Sequence, residues 1–419
     1  MAQDLIFGRP LYVMAKPAGA SCNLRCKYCY YLEKSTLTPH PRPMSDEVLE
    51  SFVRQYIEAQ TTLEVNFTWH GGEPLLRPIS FYEKALEYQQ RYARGRQIFN
   101  CIQTNATLID DKWAEFFSRN NFLVGVSIDG PEEIHNSMRM GADGRGSYQD
   151  VLRGLRALAR HGVEWNAMAV VNSLNVKDPI GFYRFFRDEL DCRFLQFTPI
   201  VERTKLLPDG SLRLCSGRET GGDITADSIK PTEWGDFLCK LFDEWIKEDV
   251  GKVFIQIFDS TLANWVGAEP GVCTMSKYCG HAAIIEANGD LYSCDHFVFE
   301  EFKLGNILHH RLTDMMRSKR QNDFGAWKHH SLPRRCQECE WEFACHGECP
   351  KNRFITSSDG EQGINYLCEG FRRYFEHVAP YMDFMKRELQ AARAPANVME
   401  WAKRGKFKIQ NSKFKILYT

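Results

Sequence analysis

Fifteen cysteines in 419 residues, most of them gathered in two short stretches, restrict this chain more than any other feature of its sequence. Three stand at Cys22, Cys26 and Cys29, and eight at Cys273, Cys279, Cys294, Cys336, Cys339, Cys345, Cys349 and Cys368. The N-terminus, Met1-Ala-Gln-Asp-Leu-Ile-Phe-Gly, carries an acid where a secretory signal is basic, and its apolar stretch is too short for one. No apolar run approaches the roughly 18 residues of a membrane helix. The expectation is a cytoplasmic protein, in which thiols stay reduced and metal or cluster ligation takes precedence over a disulfide framework. Cys101, Cys192, Cys215 and Cys239 are isolated and read as small buried hydrophobes.

Between the cysteines the chain alternates short apolar runs with helical patterns. Strands are expected over residues 11–15, 65–69, 98–103, 123–128, 165–171 and 194–199. Helices are expected over 46–59, after Ser45 as N-cap, and over 81–92, 110–119, 148–160 and 180–190. Six strands alternating with helices argue for a parallel sheet with right-handed crossovers, closed or partly closed into a barrel. Chemistry then belongs at the C-terminal ends of the strands. Residues 204–228 are polar and glycine-rich and read as a surface excursion. A helix over 231–247 and a strand-like run over 253–258 follow; from Cys273 secondary structure is expected to be sparse, with helices resuming around 374–393. The basic tail 403–419 repeats Lys-Phe-Lys-Ile at 406–409 and 413–416 and reads as solvated. The divisions are a core barrel over 1–230, a connecting helix and strand over 231–272, a cysteine-rich domain over 273–380, and a helix and tail over 381–419. A net charge of −1 leaves no basic field to hold nucleic acid.

Cys22-x3-Cys26-x2-Cys29 sits on a loop just past the first strand. Structural zinc prefers four protein ligands. Three thiolates can instead hold three irons of a [4Fe–4S] cube and leave the fourth open to a molecule bearing an amine and a carboxylate. A zinc site completed by a distant residue, or three unrelated thiols, is the alternative. The eight later cysteines make two tetrahedral sets, for which paired zinc ribbons compete with iron–sulfur clusters.

With Tyr28 before the third cysteine, and Gly71-Gly72-Glu73-Pro74 after the second strand, the N-terminal part resembles the radical S-adenosylmethionine (SAM) superfamily. The pattern Cys273-x5-Cys279-x9-Gly289-x4-Cys294, Cys336-x2-Cys339-x5-Cys345-x3-Cys349 and Cys368 resembles the SPASM extension of radical SAM maturases. Within that group the chain resembles the anaerobic sulfatase-maturating enzymes, on residues 22–31, His70-Gly-Gly-Glu-Pro, Gln103-Thr-Asn-Ala-Thr-Leu-Ile-Asp, Val124-Gly-Val-Ser-Ile-Asp-Gly-Pro, Phe194-Leu-Gln-Phe, Tyr292-Ser-Cys-Asp-His-Phe and Leu304-Gly-Asn-Ile.

The resemblance implies an α/β fold, a partial (β/α)6 TIM-like barrel followed by a SPASM domain with two auxiliary iron–sulfur clusters. It implies SAM and three [4Fe–4S] clusters as cofactors, and oxidation of a Cys or Ser side chain to Cα-formylglycine by hydrogen abstraction at Cβ. Cys22, Cys26 and Cys29 would hold the SAM-binding cluster. Cys273, Cys279, Cys294 and Cys349 would hold one auxiliary cluster, and Cys336, Cys339, Cys345 and Cys368 the other. Tyr28, Gly72, Ser127, Arg139 and Val201 map to SAM contacts, and Asp295 to the catalytic base; its alternative is a turn or salt-bridge carboxylate. Gln103, Asn105, Asn166 and Gln196 read as further contacts or loop caps, and Tyr30 and Tyr31 as core or substrate wall. His70 stands where some relatives have Gln, and Ala106 where Gly is common. The implied partners are an unfolded or nascent sulfatase with a Cys/Ser-x-Pro/Ala-x-Arg motif and an electron donor such as flavodoxin or ferredoxin, the enzyme itself a monomer. The competing reading is another SPASM maturase, forming thioether or carbon–carbon crosslinks. Such enzymes often carry a recognition domain of which the 21 residues before Cys22 leave no room. From a different class, a zinc-ribbon adaptor would bind zinc in place of iron.

Overall fold

The computed structural model describes residues 10–31, 42–215, 219 and 221–404. The first eight residues and both Lys-Phe-Lys-Ile repeats therefore lie outside the described residues. Six strands, β1 (Tyr12–Ala15), β2 (Glu64–Trp69), β3 (Gln97–Thr104), β4 (Phe122–Ser127), β5 (Trp165–Val171) and β6 (Phe194–Pro199), follow one another in chain order along one parallel sheet. Between them run α1 (Asp46–Ala59), α2 (Ile79–Tyr92), α3 (Asp111–Arg119), α4 (Glu132–Met138), α5 (Tyr148–Arg160) and α6 (Pro179–Arg184), the last continuing as a wider π turn over Phe185–Glu189. This is the partial (β/α)6 arrangement that the resemblance implied; α4 alone among its helices had no expectation.

Local chemistry sets these elements. The Ser45 hydroxyl accepts the N–H of Val48 at 3.3 Å and starts α1 where its apolar stripe begins. Val65, Phe67 and Trp69 alternate onto the buried face of β2, where Phe67 and Trp69 meet Phe52 and Tyr56 of α1 edge-on, with ring centroids 5.0–6.4 Å apart. Burying each such ring stabilises the fold by roughly 2 kcal/mol.

The later chain departs from expectation at three places. Residues 204–228 are more than an excursion: β7 (Arg203–Leu206) is flanked antiparallel by β8 (Leu212–Leu214) and β9 (Asp223–Ile224) in a small sheet of its own. After α7 (Pro231–Glu248), only β10 (Phe254–Ile255) of the run 253–258 is strand, and α8 (Gln256–Val266) begins at once. Phe258, Thr261 and Trp265 recur at helical spacing and are buried, and this wins over the short β-branched run. The third departure lies beyond Cys273, where β11 (Ala282–Ile285), β12 (Asp290–Tyr292) and β13 (Lys303–Asn306) join the main sheet. β11 pairs parallel with β1, from Tyr12↔Ala282 to Ala15↔Ile285, so the sheet runs β10-β6-β5-β4-β3-β2-β1-β11-β12-β13.

Farther on, α9 (Lys319–His330) covers the hairpin, and the long α10 (Cys368–Gln390) returns to α7 through Trp234–Phe371 and Phe242–Tyr381 ring contacts. Among the described residues no helix is long and apolar enough to cross a membrane.

Candidate active site

The C-terminal ends of β1 to β6 bring the cysteine loop, residues 70–73, Asn105, Ser127 and Val201 to one end of the sheet. The loop is zipped to the segment after α4: Arg25 N–H donates to Met140 O at 2.7 Å and Lys27 N–H to Met138 O at 3.0 Å. On its other side Gly72 N–H donates to Gly19 O at 2.9 Å and Glu73 N–H to Ser21 O at 2.7 Å. A Cβ at Gly72 would stand 2.1 Å from Ser21 O, so only glycine permits this approach. The buried Glu73 carboxylate accepts from Thr104 Oγ1 (2.7 Å), Leu75 N (2.9 Å) and Asn105 N (2.8 Å), bracing the ends of β2 and β3; burial raises it to about 7.

The thiols fall into three sets. Burial pushes Cys22 up to about 12, against a 3.3 Å hydrogen bond from Leu24 N, and Cys26 and Cys29 add to the rise. Asn105 Nδ2 also approaches Cys22 Sγ at 3.7 Å. In the second set burial raises Cys294, and Cys273 and Cys279 push the same way; all three act on Cys349, which burial and Glu348 also raise. In the third, burial raises Cys336, Cys345 and Cys368, with Cys368 acting on Cys336 and Cys345, and Cys339 on Cys336 and Cys368. Three, four and four thiols thus act on one another electrostatically. Among the described residues no three Cys, His, Asp or Glu side chains close on a single ion position.

Of the residues mapped to SAM, Ser127 Oγ accepts from Gln103 Nε2 at 3.0 Å. The Tyr28 phenol is engaged by Asp129 and by Arg139 Nη1 (2.7 Å). Arg139 is buried, and its Nε has no partner in the protein. Val201 is buried after β6, and Lys351, two residues past Cys349, reaches its carbonyl at 3.2 Å.

Asp295 lies on the turn Asp295–Phe297 directly after Cys294, yet its partners come from the barrel. Lys16 Nζ stands 2.7 Å from Oδ1; the Tyr30 phenol donates to Oδ2 at 2.5 Å, and Tyr31 donates to the same atom. Tyr31 also meets His70 Nδ1 at 3.2 Å. Burial first, and then the Asp295 charge, raise both phenols well above the usual tyrosine range. Burial lowers His70, against the nearby Asp295 charge. Burial opposes the Lys16 charge, but Asp295 and Glu286 outweigh it and hold the ammonium above the ordinary lysine range. Sequence reasoning took the two tyrosines for core or substrate wall, His70 for a departure, and passed over Lys16 and Glu286. The signal for Lys16 was a cation closing an apolar strand at the reactive end of a parallel sheet.

The sequence pattern of the radical SAM superfamily matches residues 17–186, and that of the SPASM iron–sulfur cluster-binding domain matches residues 273–340. A serine-type anaerobic sulfatase-maturating enzyme of Bacteroides thetaiotaomicron is 59% identical over 96% of this chain and 98% of its own length. The chain belongs to the anaerobic sulfatase-maturating enzymes. A cysteine-type anaerobic sulfatase-maturating enzyme of Clostridium perfringens is 32% identical over 88% of this chain and 97% of its own length. The solved structure of native anSMEcpe with bound AdoMet superimposes with a TM-score of 0.80 at 31% identity, covering 90% of this chain and all of that one. As an anaerobic sulfatase-maturating enzyme the protein oxidises a protein side chain to formylglycine by radical SAM chemistry, with SAM and [4Fe–4S] clusters as cofactors. Its residues fit those groups: the thiols come as three, four and four, and the partnerless Arg139 Nε offers a buried donor to an anion.

Proposed function

We propose that Asp295 is the base that takes the proton from the substrate thiol or hydroxyl, and that this maturase is of the serine type. The observation that carries the base is its setting: a carboxylate one residue after Cys294, gripped by Lys16 at 2.7 Å and by the phenols of Tyr30 and Tyr31. Such a carboxylate has a fixed direction, which a base needs to come within hydrogen-bond reach of its proton. Cys22, Cys26 and Cys29 hold the SAM-binding cluster; Cys273, Cys279, Cys294 and Cys349 hold one auxiliary cluster, and Cys336, Cys339, Cys345 and Cys368 the other. When bound, these groups supply the electron that splits SAM to a 5′-deoxyadenosyl radical and the sink for the electron the substrate gives up. Tyr28, Gly72, Ser127, Arg139 and Val201 line SAM: Arg139 pairs with its carboxylate, Ser127 donates a hydroxyl, Val201 packs on the adenine, and the loop at Gly72 receives the amine.

The serine preference rests on the 59% identity to the Bacteroides serine-type enzyme. A sulfatase segment with the Cys/Ser-x-Pro/Ala-x-Arg motif as substrate is supported by the similar anSMEcpe, solved with bound AdoMet and a Cp18Cys peptide at a TM-score of 0.79. A flavodoxin or ferredoxin as electron donor, a monomeric state, a cytoplasmic location, and the division at 230, 272 and 380 complete the reading. The test is anaerobic incubation with SAM, reductant, and a Ser-x-Ala-x-Arg or Cys-x-Pro-x-Arg peptide, read by mass. The serine peptide is expected to lose two hydrogens faster than the cysteine peptide is converted; the reverse order removes the serine assignment. Asp295→Asn is expected to cleave SAM while forming about 100-fold less formylglycine; an undiminished yield removes the base.

A further inference from the structure

Lys16 closes β1 with its side chain 1% exposed. Its Nζ lies 2.7 Å from Asp295 Oδ1, 2.7 Å from Glu286 Oε1 and 4.5 Å over the Tyr31 ring. Burying an ammonium is expensive unless it is paired and hydrogen-bonded, and here both conditions hold. Its direction is set by its surroundings. The Lys16 N–H donates to Ile285 O at 3.0 Å, locking its backbone to the end of β11. Gly71 packs on the stem, where a Cβ would come within 3.1 Å of Lys16 Cβ and Cγ.

The arrangement answers a geometric problem. SAM and the phenols of Tyr30 and Tyr31 are placed by the barrel, whereas Asp295 is carried by the turn after Cys294. A base displaced by an ångström can cost on the order of 100-fold in rate. We infer that Lys16 is a positioning residue for the oxidation: held at Oδ1, it fixes the rotation of the Asp295 carboxylate, with the phenols of Tyr30 and Tyr31 on Oδ2, while Glu286 balances the charge. This rests on the reading of Asp295 as the base.

The test uses anaerobically reconstituted full-length Lys16→Met, Lys16→Arg and Asp295→Asn. Each is assayed for iron content, affinity for a labelled serine peptide, 5′-deoxyadenosine and formylglycine. Lys16→Met is expected to keep its iron, to bind peptide within about twofold of the parent, and to release deoxyadenosine, while formylglycine per deoxyadenosine falls at least about tenfold. Lys16→Arg, which keeps the charge, recovers part of that ratio. An unchanged ratio in Lys16→Met overturns the inference, as does no recovery in Lys16→Arg, or loss of iron from Lys16→Met. If Asp295→Asn is impaired and Lys16→Met is not, the positioning role alone fails; if Asp295→Asn is fully active, the base assignment fails first.

Discussion

At Gly72 the smallest residue answers to the backbone of the cysteine loop. The Ala20 and Ser21 carbonyls stand 2.6 and 2.1 Å from where a Cβ would be, and backbone cannot swing aside as a flexible side chain can. Gly72→Ala is therefore expected to push the loop of Cys22, Cys26 and Cys29 away from its ligating position. Reconstituted protein should lose about four of its irons and all release of 5′-deoxyadenosine, with the other two clusters kept; full iron with normal SAM cleavage would show that the loop yields. The same scale shows what the reading of Tyr30 and Tyr31 as core or substrate wall left out. Two adjacent tyrosines after a cysteine look like apolar wall, and what they do is decided by Asp295, 264 residues beyond Tyr31.

Among the elements, the hairpin of β11 and β12 carries the most consequence, because the chain leaves β12 directly into Cys294 and Asp295. Gly289 turns it with φ +86°, a conformation costly for any residue with a Cβ, and an added methyl would come within 3.1 Å of Ile307 Cγ2. Gly289→Ala is expected to destabilise the protein by roughly 1–2 kcal/mol. Anaerobic thermal melting should show a lowered midpoint, and iron should leave the cluster of Cys294 before the SAM-binding one; an unshifted melt would mean that the turn relaxes. The helix α8 teaches a related lesson. Residues 253–258 alternate well enough for a strand, and only the continuation through Thr261 and Trp265 to Gly267, a left-handed C-cap, reveals the helix.

For the molecule as a whole, the decisive feature is the parallel pairing of β1 with β11, which makes the cluster-bearing C-terminal half part of the barrel's own sheet. A chain ending at residue 272 would leave β1 as an open edge, with its row of N–H and C=O groups unpaired on one side. Such a fragment is expected to aggregate on expression, whereas the full chain should melt in one transition; a soluble, monomeric fragment by size-exclusion chromatography would show that the two halves are separable. The spacing of the cysteines, the Gly-Gly-Glu loop and the alternation of six strands with helices were legible in the sequence, because each depends on residues close along the chain. A loop of eight residues places its own three thiols, and an alternating run chooses its own buried face. The grip on Asp295 was not legible. Lys16 at the end of β1, the phenols after Cys29 and the turn after β12 meet only through the register of β1 on β11, and no local pattern encodes a contact that forms only once the sheet has assembled.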